Sequence, residues 1–264
     1  LDTLRSYGNF IIEPGEGELA SHLVGKGRME EPEKIIAVLE DFFSQKQDLD
    51  GKKIVITAGP TYEKIDPVRF IGNYSSGKMG YALAEECASR GAEVILVSGP
   101  VTLKEHNPNI RRIDVESAEE MYEEARRAYT DADAGILCAA VADFTPDHTA
   151  DHKIKRGKDG MTIQLKPTKD IAASLGATKK EGQVLVGFAL ETNDEQQNAK
   201  GKLERKNFDF IVLNSLNDKG AGFRVDTNKI SIIDRQDTTS YPLKNKSEVA
   251  KDIIDRLVQT LNKN

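Results

Sequence analysis

The sequence predicts an α/β fold: a doubly wound Rossmann-like sandwich with a mainly parallel central sheet and a late antiparallel strand pair. Three observations predict it. From Lys52 onward, short β-branched runs alternate with helical stretches, the pattern of repeated right-handed crossovers. The run AGILCAAV is apolar from end to end, as a parallel strand covered on both faces should be. Near the end, NKISIIDR and TTSYPLK read as two strands before a closing helix. At 264 residues, 38% hydrophobic and 30% charged, the chain is long enough to bury such a core.

The elements follow in order. Gly15, Gly17, Gly25 and Gly27 punctuate a loop, and Pro32 to about Gln45 has helical spacing in Ile35, Ile36, Leu39, Phe42 and Phe43. QDLDGKK links this appendage, residues 1–50, to a body of residues 51–264. In the body KKIVITAG reads as a strand, MGYALAEECASRG as a helix stopped by Gly91, AEVILVSGP as a strand and AEEMYEEARRAYTD as a helix. After AGILCAAV and a polar stretch come MTIQL as a strand candidate, KDIAASLGA as a helix, QVLVGFALET as a strand, EQQNAKGKLERKN as a helix and FDFIVLNSL as a strand. SEVAKDIIDRLVQTLNKN is the closing helix.

Charge and targeting narrow the classes. The appendage holds 5 Lys and Arg against 11 Asp and Glu, so it carries the whole net charge of −6 and the body is neutral. That argues against a nucleic-acid surface across the body. LDTLRSYGNF lacks the order of a signal peptide and no run approaches the length of a membrane span, so a soluble, cytoplasmic chain is expected. Cys87 and Cys138 form no CxxC pair, which disfavours a disulfide framework or a structural zinc.

Four segments carry chemistry. The stretch from Gly59 to Gly80 follows a strand and opens a helix, but GxGxxG is absent, and the partial P-loop match puts Met79 where a Ser or Thr must reach magnesium. A Ser-Ser-Gly-Lys turn remains. It suits an anion site at a helix start and equally a helix capped by Ser75 or Ser76. CAAVADF ends in Asp143 at the sheet's carboxyl edge, fit for a metal or a ribose, or only for a turn. DHKIKRGKDG with Lys166 and Lys169 gathers cations that suit a polyanion or a solvated loop. Lys202 and Lys206, four apart, share one helix face. His148 and His152 have the spacing of a zinc pair, but Pro146 argues against a helix there.

Taken together, AGPTYEKIDPVRFIGNYSSGKMG, AAVADF, the KIK element, VGFALET, A-x-x-KL-x-x-K-N-x-D and GFRVDTNKISIID resemble the phosphopantothenoylcysteine synthetase (phosphopantothenate–cysteine ligase) family of the CTP-dependent bacterial type, over residues 52–264. IIEPGEGELASHLVGKGRMEEPEKI resembles the end of phosphopantothenoylcysteine decarboxylase, fused upstream in most bacteria. Ala20-Ser21-His22 stands where that family has Ala-Cys-Gly, so the resemblance implies no decarboxylase activity and no FMN in this chain.

The resemblance implies a ligase of coenzyme A biosynthesis. The 4′-phosphopantothenate carboxylate attacks the α-phosphate of CTP, releasing pyrophosphate, and L-cysteine then displaces CMP from the acyl cytidylate. It assigns Asn73 and Lys153 to catalysis, Lys153 on a flap, and Ser76, Gly77, Asp143, Lys153, Phe188, Lys202 and Lys206 to CTP. Arg69, Asn73, Ala139 and Ala140 go to the acyl substrate, and Asp143 to Mg²⁺. Peptide groups at the ends of CAAVADF and VGFALET would read the cytosine edge. A homodimer is implied, through an edge strand or the late antiparallel strands, with a higher oligomer through the upstream decarboxylase; nucleic acid and membrane are not expected partners. A nicotinamide dehydrogenase, or a non-catalytic module docking through the acidic appendage, are the other classes weighed.

Overall fold

The computed structural model describes residues 3–4, 10–18, 24–44, 46–156, 160–191, 195–215 and 225–263. In the appendage, β1 (Gly15–Glu18) and β2 (Val24–Arg28) pair as an antiparallel hairpin before α1 (Pro32–Ser44). The body begins with β3 (Lys53–Ala58), a small hairpin of β4 (Tyr62–Lys64) and β5 (Phe70–Gly72), and α2 (Lys78–Ser89). Next come β6 (Glu93–Ser98), β7 (Ile110–Asp114), α3 (Ala118–Tyr129) and β8 (Ala134–Leu137). A second small pair, β9 (Phe144–Pro146) and β10 (Leu165–Pro167), precedes α4 (Ile171–Thr178), β11 (Val184–Glu191), α5 (Glu195–Arg205) and β12 (Phe210–Ser215). The chain closes with β13 (Thr227–Asn228), β14 (Ile230–Ile233), β15 (Thr238–Ser240), β16 (Lys244–Asn245) and α6 (Lys246–Leu261).

Eight strands form one sheet in the order β15-β14-β12-β11-β8-β3-β6-β7, parallel from β7 to β12 and antiparallel beyond. Along β3 the side chains alternate between faces, as the two-residue period of a strand requires. Ile54 and Ile56 join Leu83 of α2 and Ile253 and Ile254 of α6 on one face. Val55 joins Met121 of α3, Leu175 of α4 and Leu203 of α5 on the other. Each such fully buried aliphatic side chain contributes roughly 1.5–3 kcal/mol. The layers therefore fix where the strand ends point.

Three sequence readings shift. AGILCAAV leaves the regular ladder after Leu137: the Ala139 N–H donates to a side chain, Thr57 Oγ1 (3.3 Å), and only an isolated parallel bridge follows, between Ala140 and Pro60, with the Ala140 N–H donating to the Gly59 carbonyl (2.9 Å). MTIQL forms a strand only from Leu165, where Pro146 opposite starts the pairing of β10 with β9. The edge strand β7 was not anticipated: Arg111, Arg112 and Asp114 make it too polar to read as a strand, a composition that also protects an edge. No helix among the described residues is long and apolar enough to cross a membrane.

Candidate functional site at the carboxyl ends of the strands

The site starts from the first turn of α2. Gly77 precedes it in a left-handed conformation (φ 77°), and a Cβ there would come within 3.0 Å of Val101 Cγ1. At Gly80 a Cβ would stand 2.5 Å from the Ala58 Cβ, so the helix start lies flush on the end of β3. Neither Ser75 nor Ser76 caps this helix, which corrects that reading of the turn. Gly77 is the cap residue and has no side chain with which to cap the first turn, and Ser75 Oγ accepts from the Gly77 N–H (3.3 Å). The amides of Lys78, Met79 and Gly80 have no intrahelical acceptor and stand at the positive end of the dipole, an arrangement that suits an anion.

These amides border a cavity of about 600 Å³ at the carboxyl ends of β3, β8, β11 and β12. It lies where the topology reverses, since the chain leaves β3 for β6 on one side and returns to β8 on the other; ligands of doubly wound sheets bind at this position. Five lysines, Lys78, Lys169, Lys202, Lys206 and Lys246, line it against two aspartates, Asp143 and Asp170. Asp170 caps α4 by accepting from the Ala173 N–H (3.0 Å) and pairs with Lys206 (3.0 Å). Burial works to raise its carboxyl pKa, but that N–H and the Lys206 ammonium outweigh it and hold the group below the usual carboxylate range. Lys78 pairs with Asp226 (2.6 Å) and Lys169 with Glu119.

Most of the anticipated residues meet here. Asn73, Ser76, Gly77, Ala139, Ala140, Asp143, Phe188, Lys202 and Lys206 all line the cavity. Asn73 Nδ2 donates to the carbonyls of Ala140 (3.1 Å) and Val141 (3.0 Å), which orients its Oδ1 as the remaining polar atom. The peptide groups after β8, expected to help read a base, are partly engaged within the protein. The amides of Ala139 and Ala140 are bonded as described above, that of Ala142 donates to Thr61 Oγ1 (2.9 Å), and two carbonyls already accept from Asn73.

Two anticipated residues lie outside the lining. Lys153 is exposed on the segment after β9. Arg69 pairs with the buried Asp66 (2.8 Å) and donates to the Ile154 carbonyl, while the Ile154 N–H donates to Asp66 Oδ2 (3.1 Å). Arg69 and Asp66 thus tie down the segment that carries Lys153, rather than facing the cavity. Lys158 of the same basic run, and residues 192–194 and 216–224, lie outside the described residues.

Sequence reasoning missed Asp170, Asn214, Asn228 and Lys246, all of which line the cavity. They are scattered through the second half of the chain and share no local spacing; only the topology brings them together. Cys138 also lines the wall, and desolvation pushes its thiol up to about 12. Among the described residues no three His, Cys, Asp or Glu side chains gather as a metal site, and His148 has only Asp147 beside it (3.4 Å). Exposed Asp143 offers one carboxylate, a donor set that fits Mg²⁺ held mainly by phosphates and water.

Residues 49–261 match the family model of the DNA/pantothenate metabolism flavoprotein C-terminal domain. A protein named cysteine/cysteine sulfinic acid decarboxylase, from an unknown prokaryotic organism, is 58% identical over 98% of this chain and 73% of its own length. The coenzyme A biosynthesis bifunctional protein CoaBC of Bacillus subtilis (strain 168) is 47% identical over 97% of this chain and 64% of its own length. Among solved structures, the C-terminal domain of a CoaBC protein superposes with a TM-score of 0.71 at 40% identity, covering 83% of this chain and all (100%) of that one. A Cab2 mutant in complex with phosphopantothenate-cysteine has a TM-score of 0.66 at 17% identity, covering 89% of this chain and 96% of its own, a likeness of fold alone. The chain therefore spans between 64% and 73% of the two longer relatives.

Proposed function

The chain belongs to the family of DNA/pantothenate metabolism flavoprotein C-terminal domains, and on that premise we propose that it is the CTP-dependent phosphopantothenate–cysteine ligase of a bifunctional coenzyme A biosynthesis protein. Residues 51–264 are the ligase domain in this reading, and residues 1–50 the end of the preceding decarboxylase. One observation carries it. The uncapped start of α2 and five lysines surround one cavity at the topological switch point, where a triphosphate and a carboxylate must be neutralised together.

The chemistry is displacement in two steps. A carboxylate oxygen of 4′-phosphopantothenate bonds to the α-phosphorus of CTP as the bond to the bridging oxygen breaks, and pyrophosphate leaves. The cysteine amine then bonds to the acyl carbon, CMP leaves with the carboxyl oxygen, and the amine proton passes to solvent. No protein nucleophile is needed; the residues position and neutralise. Ser76, Gly77 and the α2 amides receive phosphate oxygens, and Lys202 and Lys206 add cations from the α5 side. Phe188 borders the base or ribose, and Ala139 and Ala140 border the acyl chain. Asn73, its two amide protons committed to carbonyls, presents Oδ1 to accept from the incoming amine. Lys153 would act when its segment closes over the cavity, excluding water from the acyl cytidylate. Arg69 supports that segment. Asp143 would hold Mg²⁺, which supplies further charge neutralisation on the phosphates when bound.

The relative named for cysteine and cysteine sulfinic acid favours a second reading, in which the whole protein removes CO₂ from such a substrate. One experiment separates the two. The full-length protein is mixed with CTP and 4′-phosphopantothenate, and separately with cysteine or cysteine sulfinic acid alone. The ligase reading expects pyrophosphate from the first mixture and no CO₂ from the second; CO₂ without pyrophosphate would overturn it. A homodimer and a CTP preference over UTP and ATP belong to the same proposal. Equal kcat/KM for CTP and ATP would contradict the assignment to the bacterial type.

A further inference from the structure

Two helices that pack against each other, α2 and α6, both begin with a lysine, and both lysines border the cavity. An ammonium at a helix N-terminus opposes the positive end of the dipole, so each of these positions is unfavourable by itself. Lys246 carries two further costs. The residue is only 8% exposed, although lysines are seldom buried, and the ammonium of Lys78 acts on it as a like charge. Burial first, and Lys78 second, hold the proton affinity of Lys246 below that of an ordinary lysine. Local stability alone would not select this arrangement.

The surrounding contacts keep it in place. Lys246 Nζ donates to the Val225 carbonyl, and its backbone N–H donates to the Asp226 carbonyl (2.9 Å). Asp226 pairs with Lys78 (2.6 Å) and attracts Lys246 electrostatically, yet its carboxylate is 81% exposed. One exposed carboxylate thus stands between two cavity ammoniums and two helix starts. The carboxylate that pairs with Lys78 is thus a largely exposed one, which can turn to solvent.

We infer that Lys78 and Lys246 form a binding subsite for a phosphate group of the nucleotide, with Asp226 as the internal counter-ion that this group displaces. The inference rests on the ligase reading and extends it with a second cation pair, across the cavity from Lys202 and Lys206. A charge-assisted hydrogen bond from a desolvated ammonium is among the stronger polar interactions, so losing Lys246 should be felt directly in affinity.

The test is calorimetric titration of the full chain with inorganic pyrophosphate and with CTP. Lys246→Met should weaken pyrophosphate binding by about tenfold or more, and Lys246→Arg should restore most of it. Asp226→Asn should tighten binding several-fold, because a competing anion is gone. That variant also keeps the inference testable if Lys246→Met does not fold. A folded Lys246→Met protein with unchanged affinity, or an Asp226→Asn protein that binds no tighter, would overturn it. Weakening by Lys202→Met without any effect of Lys246→Met or Asp226→Asn would remove this subsite and leave the ligase reading standing. A wild-type chain that binds neither pyrophosphate nor CTP would remove both.

Discussion

Asn73 has given both amide protons to the carbonyls of Ala140 and Val141, so its contribution to a bound substrate is its oxygen. An acceptor suits an amine better than a phosphate. Asn73→Ala should therefore slow cysteine transfer by about a hundredfold, the scale of one lost transition-state hydrogen bond, while CTP affinity changes only a few-fold. Rapid-quench measurement should then find acyl cytidylate accumulating; equal losses in CTP binding and turnover would return Asn73 to a role in shaping the loop. Asp66 acts at the same scale but on stability. Burial works to raise its pKa and is outweighed by the N–H groups of Val68, Ile154 and Arg69 and by the Arg69 guanidinium, so its carboxyl lies below the ordinary 3.8. A depressed carboxylate contributes stability above its unfolded value and loses it as pH falls through the folded one. Asp66→Asn should lower the urea midpoint at pH 7, and the gap to wild type should close below about pH 3.8. A gap independent of pH would show that the Asp66 charge does not matter.

The elements that place the cavity are β3, α2 and the exit from β8, and their meeting depends on close backbone approach. Gly80→Ala would gain up to about 1 kcal/mol in helix propensity. Its methyl would meet Ala58 at 2.5 Å, and the overpacking of a core contact costs roughly 1–3 kcal/mol. Sterics should win. Thermal unfolding should show a lower midpoint, and pyrophosphate titration weaker binding, because the α2 amides shift with the helix; unchanged values for both would mean that α2 and β3 tolerate separation. These elements differ in how legible they were. The buried runs around Ile54, Ile95 and Val186 announced parallel strands because covering both faces leaves no polar alternation. The Ser-Ser-Gly-Lys turn announced a helix start but not its cap, since Gly77, not a serine, takes the left-handed position. The small β4/β5 pair and β9 escaped, being only three residues a strand, while β10 was read only in part, through MTIQL. Lys246 escaped because nothing local marks a closing helix as a cavity wall.

At the scale of the whole molecule, one cavity serves both proposed displacements, with cations brought from α2, α5 and α6 to the carboxyl edge of a single sheet. The neutral body and the acidic appendage fit that division, since the positive charge is local to the site and not spread over a surface. The claim tested most directly is that CTP is cleaved between its α- and β-phosphates to join phosphopantothenate to cysteine. Phosphorus NMR of the full reaction reads this without a coupling enzyme. CMP and pyrophosphate are expected in equal amounts when 4′-phosphopantothenate and cysteine are both present, and without cysteine pyrophosphate and bound acyl cytidylate but no CMP. CDP with inorganic phosphate, or no CTP consumption with both substrates present, would contradict that claim.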